Sequence, residues 1–189
     1  MSSARERLVT STVGLLRSRG VAATGVADIV EASGAARRSM YTHFPDGKMQ
    51  LMIEATRHVG EESTGAIRML TEADDPLASL DAFVASWKTA VKSDDFRGGC
   101  PIAMATLGAF ETPDLAREAA TVFSNWQEAM SEQLRRAGLS VTTAASFASF
   151  TVSAIEGAVV QCLAYRSTQP LDVVGEHLAA TLRLQLATD

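Results

Sequence analysis

A run of side chains that can carry positive charge or form hydrogen bonds occupies residues 37–43. Its members are Arg37, Arg38, Ser39, Tyr41, Thr42 and His43. Long cationic side chains reach phosphates and base edges of DNA, and hydroxyl and imidazole groups add hydrogen bonds to both. Lys48 follows closely and can hold a further backbone phosphate. The run predicts a DNA-contacting helix; a solvated basic patch on a small helical bundle, with Tyr41 and Phe44 in its core, is the alternative interpretation.

Three predicted helices position this run. Residues 4–19 carry apolar side chains at helical spacing, begin with Ser3 and Glu6 in capping-box spacing, and end at Gly20. A short amphipathic helix follows from Val26 to about residue 33, and another runs from about residue 36 to 44. Gly34 lies between the two, where a sharp turn with positive φ favours glycine. A longer helix followed by two short ones joined by such a turn is the layout of a helix-turn-helix, in which the last helix enters the major groove.

The rest of the chain also shows helical periodicity and no strand-like alternation. The further helices are predicted at 48–70 and at about 77–93, 101–110, 113–137, 142–166 and 172–187. The predicted fold is therefore all-α, with about nine helices. We expect residues 1–47 to form a three-helix DNA-binding domain and residues 48–189 to form a larger helical domain for ligand binding and dimerisation.

The distribution of charge agrees with this division, although the net charge of the chain is −5. Residues 1–58 contain eight Lys and Arg against five Asp and Glu, whereas residues 59–189 contain nine against seventeen. Phosphate backbones attract a basic module, and an acidic remainder stays away from the duplex. The first residues lack the pattern of a secretory signal, so a cytoplasmic location is expected. Cys100 and Cys162 are too few for a disulfide framework and are expected to be buried thiols.

Residues 25–51 resemble the DNA-binding domain of the TetR family of repressors. The similarity spans roughly residues 5–55 and is carried by Ile29, Ala32, Gly34, the run 40–44, Lys48 and Leu51. Carried over by position, the resemblance implies contacts to double-stranded operator DNA from Thr24, Ala35, Ala36, Arg37, Arg38, Ser39, Tyr41, Thr42, His43 and Lys48. Relatives often have hydroxyl residues at positions 35 and 36, where this chain has alanine. The two arginines are expected to supply the missing hydrogen bonds.

The second half resembles the LmrA and YxaF subgroup of that family, regulators of multidrug-resistance operons. The resemblance is carried by residues 99–103, Trp126, residues 154–158 and Pro170-Leu171. It implies a homodimer whose interface is formed by the helices near 142–166 and 172–187. It also implies a repressor that a small apolar or cationic inducer releases from its operator.

Aromatic and methionine side chains between residues 83 and 156 are the predicted lining of an inducer pocket, since such side chains adapt to flat apolar ligands. The predicted ligand-binding residues are Phe83, Trp87, Met104, Leu107, Phe110, Phe123, Trp126, Met130, Phe150 and Glu156. An apolar stripe at helical spacing is also typical of an ordinary core. Glu156 is expected either to face the pocket or to make a polar contact at the dimer interface.

Other functions find less support in the sequence. His43, His58 and His177 are scattered, and no metal-ligand or phosphate-loop motif accompanies them, so no enzyme activity, cofactor or metal is expected. Two alternatives remain within DNA-binding regulators. One is control without a ligand, and the other is redox sensing through Cys100 or Cys162, which would require an exposed thiolate near positive charge.

Overall fold

The computed structural model describes residues 2–108 and 112–188, and these form nine α-helices without a strand. The helices are α1 Ala4–Arg19, α2 Val26–Ser33, α3 Arg37–His43, α4 Lys48–Thr71, α5 Pro76–Ser93, α6 Pro101–Leu107, α7 Pro113–Arg136, α8 Val141–Tyr165 and α9 Gln169–Thr188. The prediction of an all-α fold with about nine helices is confirmed.

Local capping explains the ends of α1. The Ser3 hydroxyl accepts a hydrogen bond from the Glu6 amide, and the Glu6 carboxylate accepts one from the Ser3 amide. At the other end Gly20, with φ 73°, donates its amide to the Leu16 carbonyl. Leu8 and Leu16 are fully buried on the inner face of the helix. The predicted capping box and glycine stop are both present.

The turn between α2 and α3 uses a left-handed glycine. Gly34 has φ 59° and ψ 19°, and its amide donates to the Glu31 carbonyl. Ile29 on α2 and Met40 on α3 are fully buried on the two sides of this turn, and α1 contacts both helices. A side chain with a Cβ rarely adopts such a φ, so glycine sets the angle between the two short helices.

The chain divides into two compact units. The first consists of Met1–Glu62 and Cys100–Val122, and the second consists of Ser63–Gly99 and Phe123–Asp189. The first unit contains α1, α2, α3 and α6, and α4 and α7 each contribute residues to both. These bounds differ from the predicted domains 1–47 and 48–189, whose division by function stays a prediction.

Two helix ends differ from the predicted positions. α9 begins at Gln169, whereas the sequence predicts its start near residue 172, after a break that includes Pro170. Proline is tolerated in the first turn of a helix, where its missing N–H has no intrahelical partner, and this accounts for the difference. α6 ends at Leu107, and the predicted residues 109–110 lie outside the described residues.

α8 is the single helix among residues 2–108 and 112–188 that is long and apolar enough to cross a bilayer by length and composition alone. In the most apolar stretch of 18 residues in α8, 44% is buried inside the protein, and the helix packs against α5 and α9. The buried core helix of a globular domain has the same length and composition.

Candidate functional site

The solvent side of α3 carries five of the ten predicted DNA-contacting side chains. Arg37, Arg38, Thr42 and His43 are exposed, and the Tyr41 ring is 46% exposed. Neither arginine forms an ion pair with any residue in the described ranges. Met40 is fully buried on the opposite side and fixes the helix on its unit. α3 therefore presents two free guanidinium groups, a phenol, a hydroxyl and an imidazole to the surroundings.

Other predicted DNA contacts lie partly or wholly inside the unit. Thr24 is fully buried and its hydroxyl donates to the Gly20 carbonyl at 2.6 Å. Ala35 is 6% exposed and Ser39 is half-buried, whereas Ala36 is exposed and precedes the first turn of α3. Thr24 and Ala35 shape the backbone beside α3. Their roles as DNA contacts stay predictions.

Lys48 lies at the first position of α4 and is half-buried. Its ammonium group donates a hydrogen bond of 2.8 Å to the carbonyl oxygen of Val21, in the loop before α2. An ammonium group has three N–H donors, so this bond leaves two for other acceptors. Lys48 thus connects the loop 20–25 to α4 and still has donors that can meet a phosphate.

Arginine side chains of α1 hold the helix-turn-helix together, and the sequence reasoning missed them. Arg5 lies 5.6 Å above the centre of the Phe44 ring and pairs with Glu54 at 2.6 Å. Arg7 donates from Nε to the carbonyl oxygen of Ser33, at the end of α2. These partners lie 26 to 49 residues apart in sequence, so no local signal indicates them.

A further ion pair joins α4 and α7 within the first unit. Arg57 contacts Glu118 through two hydrogen bonds, of 3.1 Å from Nε and 2.8 Å from Nη2. It also lies 3.5 Å from the Glu54 carboxylate. The hydrogen bonds to Glu118 raise the pKa of Arg57 above its ordinary value. Arg5, Glu54, Arg57 and Glu118 therefore form one charged chain, which we call the α1–α4–α7 network.

The second unit contains a cavity of about 40 Å³, within about 410 Å³ of empty space that includes open solvent. Its walls come from α4, α5, α7, α8 and α9. They are formed by Ile67, Leu70, Thr71, Pro76, Ser79, Leu80, Phe83, Met130, Gln133, Leu134, Phe147, Ala148, Thr151 and Leu182. Apolar side chains dominate this lining, and no ionisable side chain belongs to it.

Four polar side chains belong to the lining, and they differ in their hydrogen bonding. The Thr71 hydroxyl donates to the Arg68 carbonyl at 3.1 Å. The amide nitrogen of Gln133, which is 4% exposed, donates to the Ala73 carbonyl and to the Ser79 hydroxyl, each at 2.7 Å. Ser79 in turn donates to the Leu70 carbonyl at 2.7 Å. Thr151 is 3% exposed, and its hydroxyl has no hydrogen-bond partner in the described part of the chain. The cavity thus combines an apolar wall with one buried, unsatisfied hydroxyl.

Two of the predicted ligand-binding residues, Phe83 and Met130, line this cavity. Phe110 lies outside the described residues, and Leu107 and Phe150 are 65% and 53% exposed. The remaining predicted residues are also absent from its walls: Trp87, Met104, Phe123, Trp126 and Glu156. Sequence reasoning missed all four polar side chains of the lining, which are Thr71, Ser79, Gln133 and Thr151.

Trp126 illustrates why an aromatic residue need not line the cavity. Its ring is 3% exposed and meets the Phe123 ring edge-on, with 5.4 Å between centroids. Its indole N–H donates to the Ser63 hydroxyl at 3.2 Å. Both the apolar body and the polar group of the side chain are used within the core.

The outer faces of α8 and α9 leave apolar side chains uncovered in the single chain. Phe150, Val160 and Tyr165 on α8 are between 53% and 69% exposed, and Val173 and Leu184 on α9 are 46% and 69% exposed. Gly157 lies on the same outer side of α8, and a Cβ added there would meet nothing within 4 Å. Both helices can therefore accept close contact from outside the chain.

Neither Cys100 nor Cys162 forms a disulfide, and both are buried, as expected. Desolvation by burial raises the pKa of Cys162 above its ordinary value, which keeps the thiol protonated. Cys100 is 2% exposed at the start of α6. Neither has the exposure that a reactive redox cysteine requires.

Two family models match the chain and together cover most of it. Residues 8–55 match the model of bacterial regulatory proteins of the tetR family. Residues 76–177 match the model of the C-terminal domain of LmrA/YxaF-like transcriptional regulators. The first match contains α2 and α3, and the second contains most of the cavity lining.

Relatives and solved structures agree with these matches. The chain is 35% identical to an HTH-type transcriptional regulator of Mycobacterium tuberculosis, over 98% of this chain and 97% of that protein. It is 28% identical to the HTH-type transcriptional regulator LmrA of Bacillus subtilis, over 88% and 90% of the two chains. The structure of a regulatory protein TetR from Rhodobacter sphaeroides has a similar fold. It superposes with a TM-score of 0.87 at 20% identity, covering 95% of this chain and 98% of that one.

Proposed function

The chain belongs to the TetR family of DNA-binding transcriptional regulators, and from this premise we propose that it is a repressor released from its operator by a small molecule. The exposed cationic side of α3 is the observation that supports operator binding most directly. Arg37 and Arg38 lie in its first turn and form no ion pair within residues 2–108 and 112–188, so both guanidinium groups can bind phosphate or the acceptors of guanine.

The proposed repressor is a homodimer that pairs through α8 and α9. Their outer faces expose large apolar side chains, and contact with a second copy would remove these from water. A two-fold dimer carries two α3 helices. When the distance between these helices is about 34–36 Å, which is one turn of DNA, they can bind two successive half-sites in the major groove. A dimer therefore binds one face of the duplex with both copies.

The proposed inducer site is the cavity of the second unit. A ligand changes operator affinity when it binds the released conformation more tightly than the DNA-bound one. α4 and α7 provide a covalent route for such coupling. α4 contributes Ile67 and Leu70 to the cavity and begins at Lys48, directly after the helix-turn-helix.

Two alternatives are weaker on specific grounds. Control without a ligand does not account for the cavity or for the unsatisfied Thr151 hydroxyl in its wall. Redox control would require a reactive thiolate, whereas Cys100 and Cys162 are both buried. A regulator that meets its operator in a bacterial cell acts in the cytoplasm, where we place it.

Operator selection tests the DNA-binding part of the proposal. Duplexes selected by the full chain from a random library serve as the probe in gel-shift titrations. Arg37→Ala and Arg38→Ala are each expected to weaken binding by about 1–3 kcal/mol if the arginine contacts a base. A phosphate contact instead gives a uniform loss on all sequences and a shallower salt dependence.

Arg68→Ala is the matched control, because Arg68 is an exposed arginine in the second unit. All three variants are expected to melt like the wild type, since none of the side chains is buried. Full affinity of both α3 variants for the selected duplex contradicts the assignment of α3 as the reading helix.

A further inference from the structure

We propose that the cavity formed by α4, α5, α7, α8 and α9 binds a neutral alcohol or phenol with a slender apolar body, its hydroxyl group meeting Thr151 and Gln133. This inference deepens the proposed function, on which its regulatory meaning rests, by naming the chemical class of the inducer. The predicted cationic inducer has no counter-charge in this lining.

The absence of charge from the walls restricts the ligand to a neutral molecule. None of the cavity-lining side chains is an Asp, Glu, Lys, Arg or His. An ionised group buried without a partner loses its hydration and gains no compensating interaction, so both cations and anions are disfavoured.

The polar groups determine which neutral molecule fits. Gln133 uses its amide nitrogen for bonds to Ala73 and Ser79, so its carbonyl oxygen is the atom that can still act as an acceptor. The Thr151 hydroxyl lacks a partner and can donate or accept. A ligand hydroxyl both donates and accepts, and it therefore complements these two groups.

The unsatisfied hydroxyl also provides a reason for binding. A buried polar group without a hydrogen bond destabilises the empty protein, and a native structure retains such groups in small numbers. A ligand that completes the hydrogen bonding of Thr151 removes this penalty when it binds. Thr151 thus favours an oxygen-bearing ligand over a pure hydrocarbon of the same shape.

The size of the cavity requires a slender ligand. A volume of about 40 Å³ exceeds the roughly 10–15 Å³ that a single water needs, yet it admits only a few atoms. A narrow molecule can place its hydroxyl end inside the cavity while its apolar body lies in the adjoining space that opens to solvent. Phe83 and Met130 flank the space, and the flexible Met130 side chain can move aside for a wider body.

Three six-carbon probes with different head groups test the charge preference on the full chain at pH 7. Hexan-1-ol is neutral, hexylamine is cationic and hexanoate is anionic. Their binding is measured from the ¹³C-methyl methionine NMR spectrum, in which Met130 reports on the cavity and the buried Met40 and Met52 of the first unit serve as references. We expect a saturable shift of the Met130 signal with hexan-1-ol, and at least tenfold weaker binding of the two charged probes.

Two matched variants test the role of the hydroxyl. Thr151→Val and Thr64→Val each remove a buried threonine hydroxyl that has no hydrogen-bond partner, and Thr64 does not line the cavity. Both variants are expected to fold. Thr151→Val is expected to weaken hexan-1-ol binding by about fivefold or more, the loss typical of one hydrogen bond, whereas Thr64→Val leaves the binding unchanged.

Each result distinguishes this inference from the proposed function. Equal binding of hexylamine and hexan-1-ol, or equal affinity of wild type and Thr151→Val, overturns the assignment of the cavity. Failure of the wild type to select any DNA overturns the proposed regulator and leaves the NMR result as a measure of the cavity alone. If hexan-1-ol releases the selected duplex from the wild type, and releases less of it from Thr151→Val, the result supports both the assignment of the cavity and the proposed regulator.

Discussion

Gly60 marks a close approach of α4 and α7 in the first unit, and replacing it is expected to destabilise the protein. A Cβ at this position would lie 3.2 and 3.3 Å from Cγ1 and Cβ of Val122, and closer still to its Cγ2. Val122 is 4% exposed and β-branched, so it has little freedom to move aside. Gly65, on the same helix, has nothing within 4 Å of an added Cβ and provides the matched control.

The expected magnitude follows from two opposing effects. Alanine stabilises the interior of a helix by about 0.5–1 kcal/mol relative to glycine, and this gain applies to both positions. Overpacking at Val122 costs about 1–3 kcal/mol and applies to Gly60 alone. Gly60→Ala is therefore expected to melt about 2–12 °C below Gly65→Ala, at about 2–4 °C per kcal/mol for a chain of this size.

Thermal melts of the two single variants, of Val122→Ala and of the double variants complete the experiment. Val122→Ala leaves room that the methyl group introduced by Gly60→Ala can occupy, so these two substitutions are expected to couple favourably by about 1 kcal/mol or more. Gly65→Ala and Val122→Ala should be additive. Equal melting temperatures for the two alanine variants, or additivity of Gly60→Ala with Val122→Ala, would refute the reasoning.

Two further variants test the proposed dimer and the position of Lys48. Gly157→Ala should stabilise a single chain as Gly65→Ala does, because an added Cβ meets nothing within 4 Å at either position. If α8 packs against a second copy at Gly157, the same substitution should raise the dimer dissociation constant about tenfold. Sedimentation equilibrium measures this constant, and an unchanged value places the dimer interface elsewhere. Lys48→Met should lose the bond to the Val21 carbonyl and so reduce both operator affinity and the free energy of unfolding, the latter by about 1 kcal/mol. If the operator affinity in gel shifts falls while the melting temperature stays constant, Lys48 contributes through a contact to DNA alone.

Features that depend on neighbouring residues could be predicted from the sequence. The Ser3–Glu6 capping box and the left-handed Gly34 follow from hydrogen bonds and backbone sterics within four residues. The start of α9 could not be predicted, because Pro170 is compatible with both a break and a first helical turn. The identity of the elements was therefore predictable, whereas the start of α9 and the end of α6 were not.

The walls of the cavity could not be predicted in the same way. Helical spacing shows which residues share a face, but it does not show which face meets a void and which meets a neighbouring side chain. Trp126 fills its site with Phe123 and Ser63, while Gln133 and Thr151, which were not singled out, bring polar atoms to the cavity. Packing between distant segments decides these roles.

The α1–α4–α7 network makes the ionic strength of the solution act on the protein as well as on its DNA. Its members are partly exposed, with 48% of the Arg57 side chain accessible, so added salt screens their attraction. Salt also competes with the protein for phosphates. A salt titration of operator binding should therefore be accompanied by a melting curve at each ionic strength. The difference in slope between two variants with equal melting curves then gives the number of phosphates that the substituted side chain contacts.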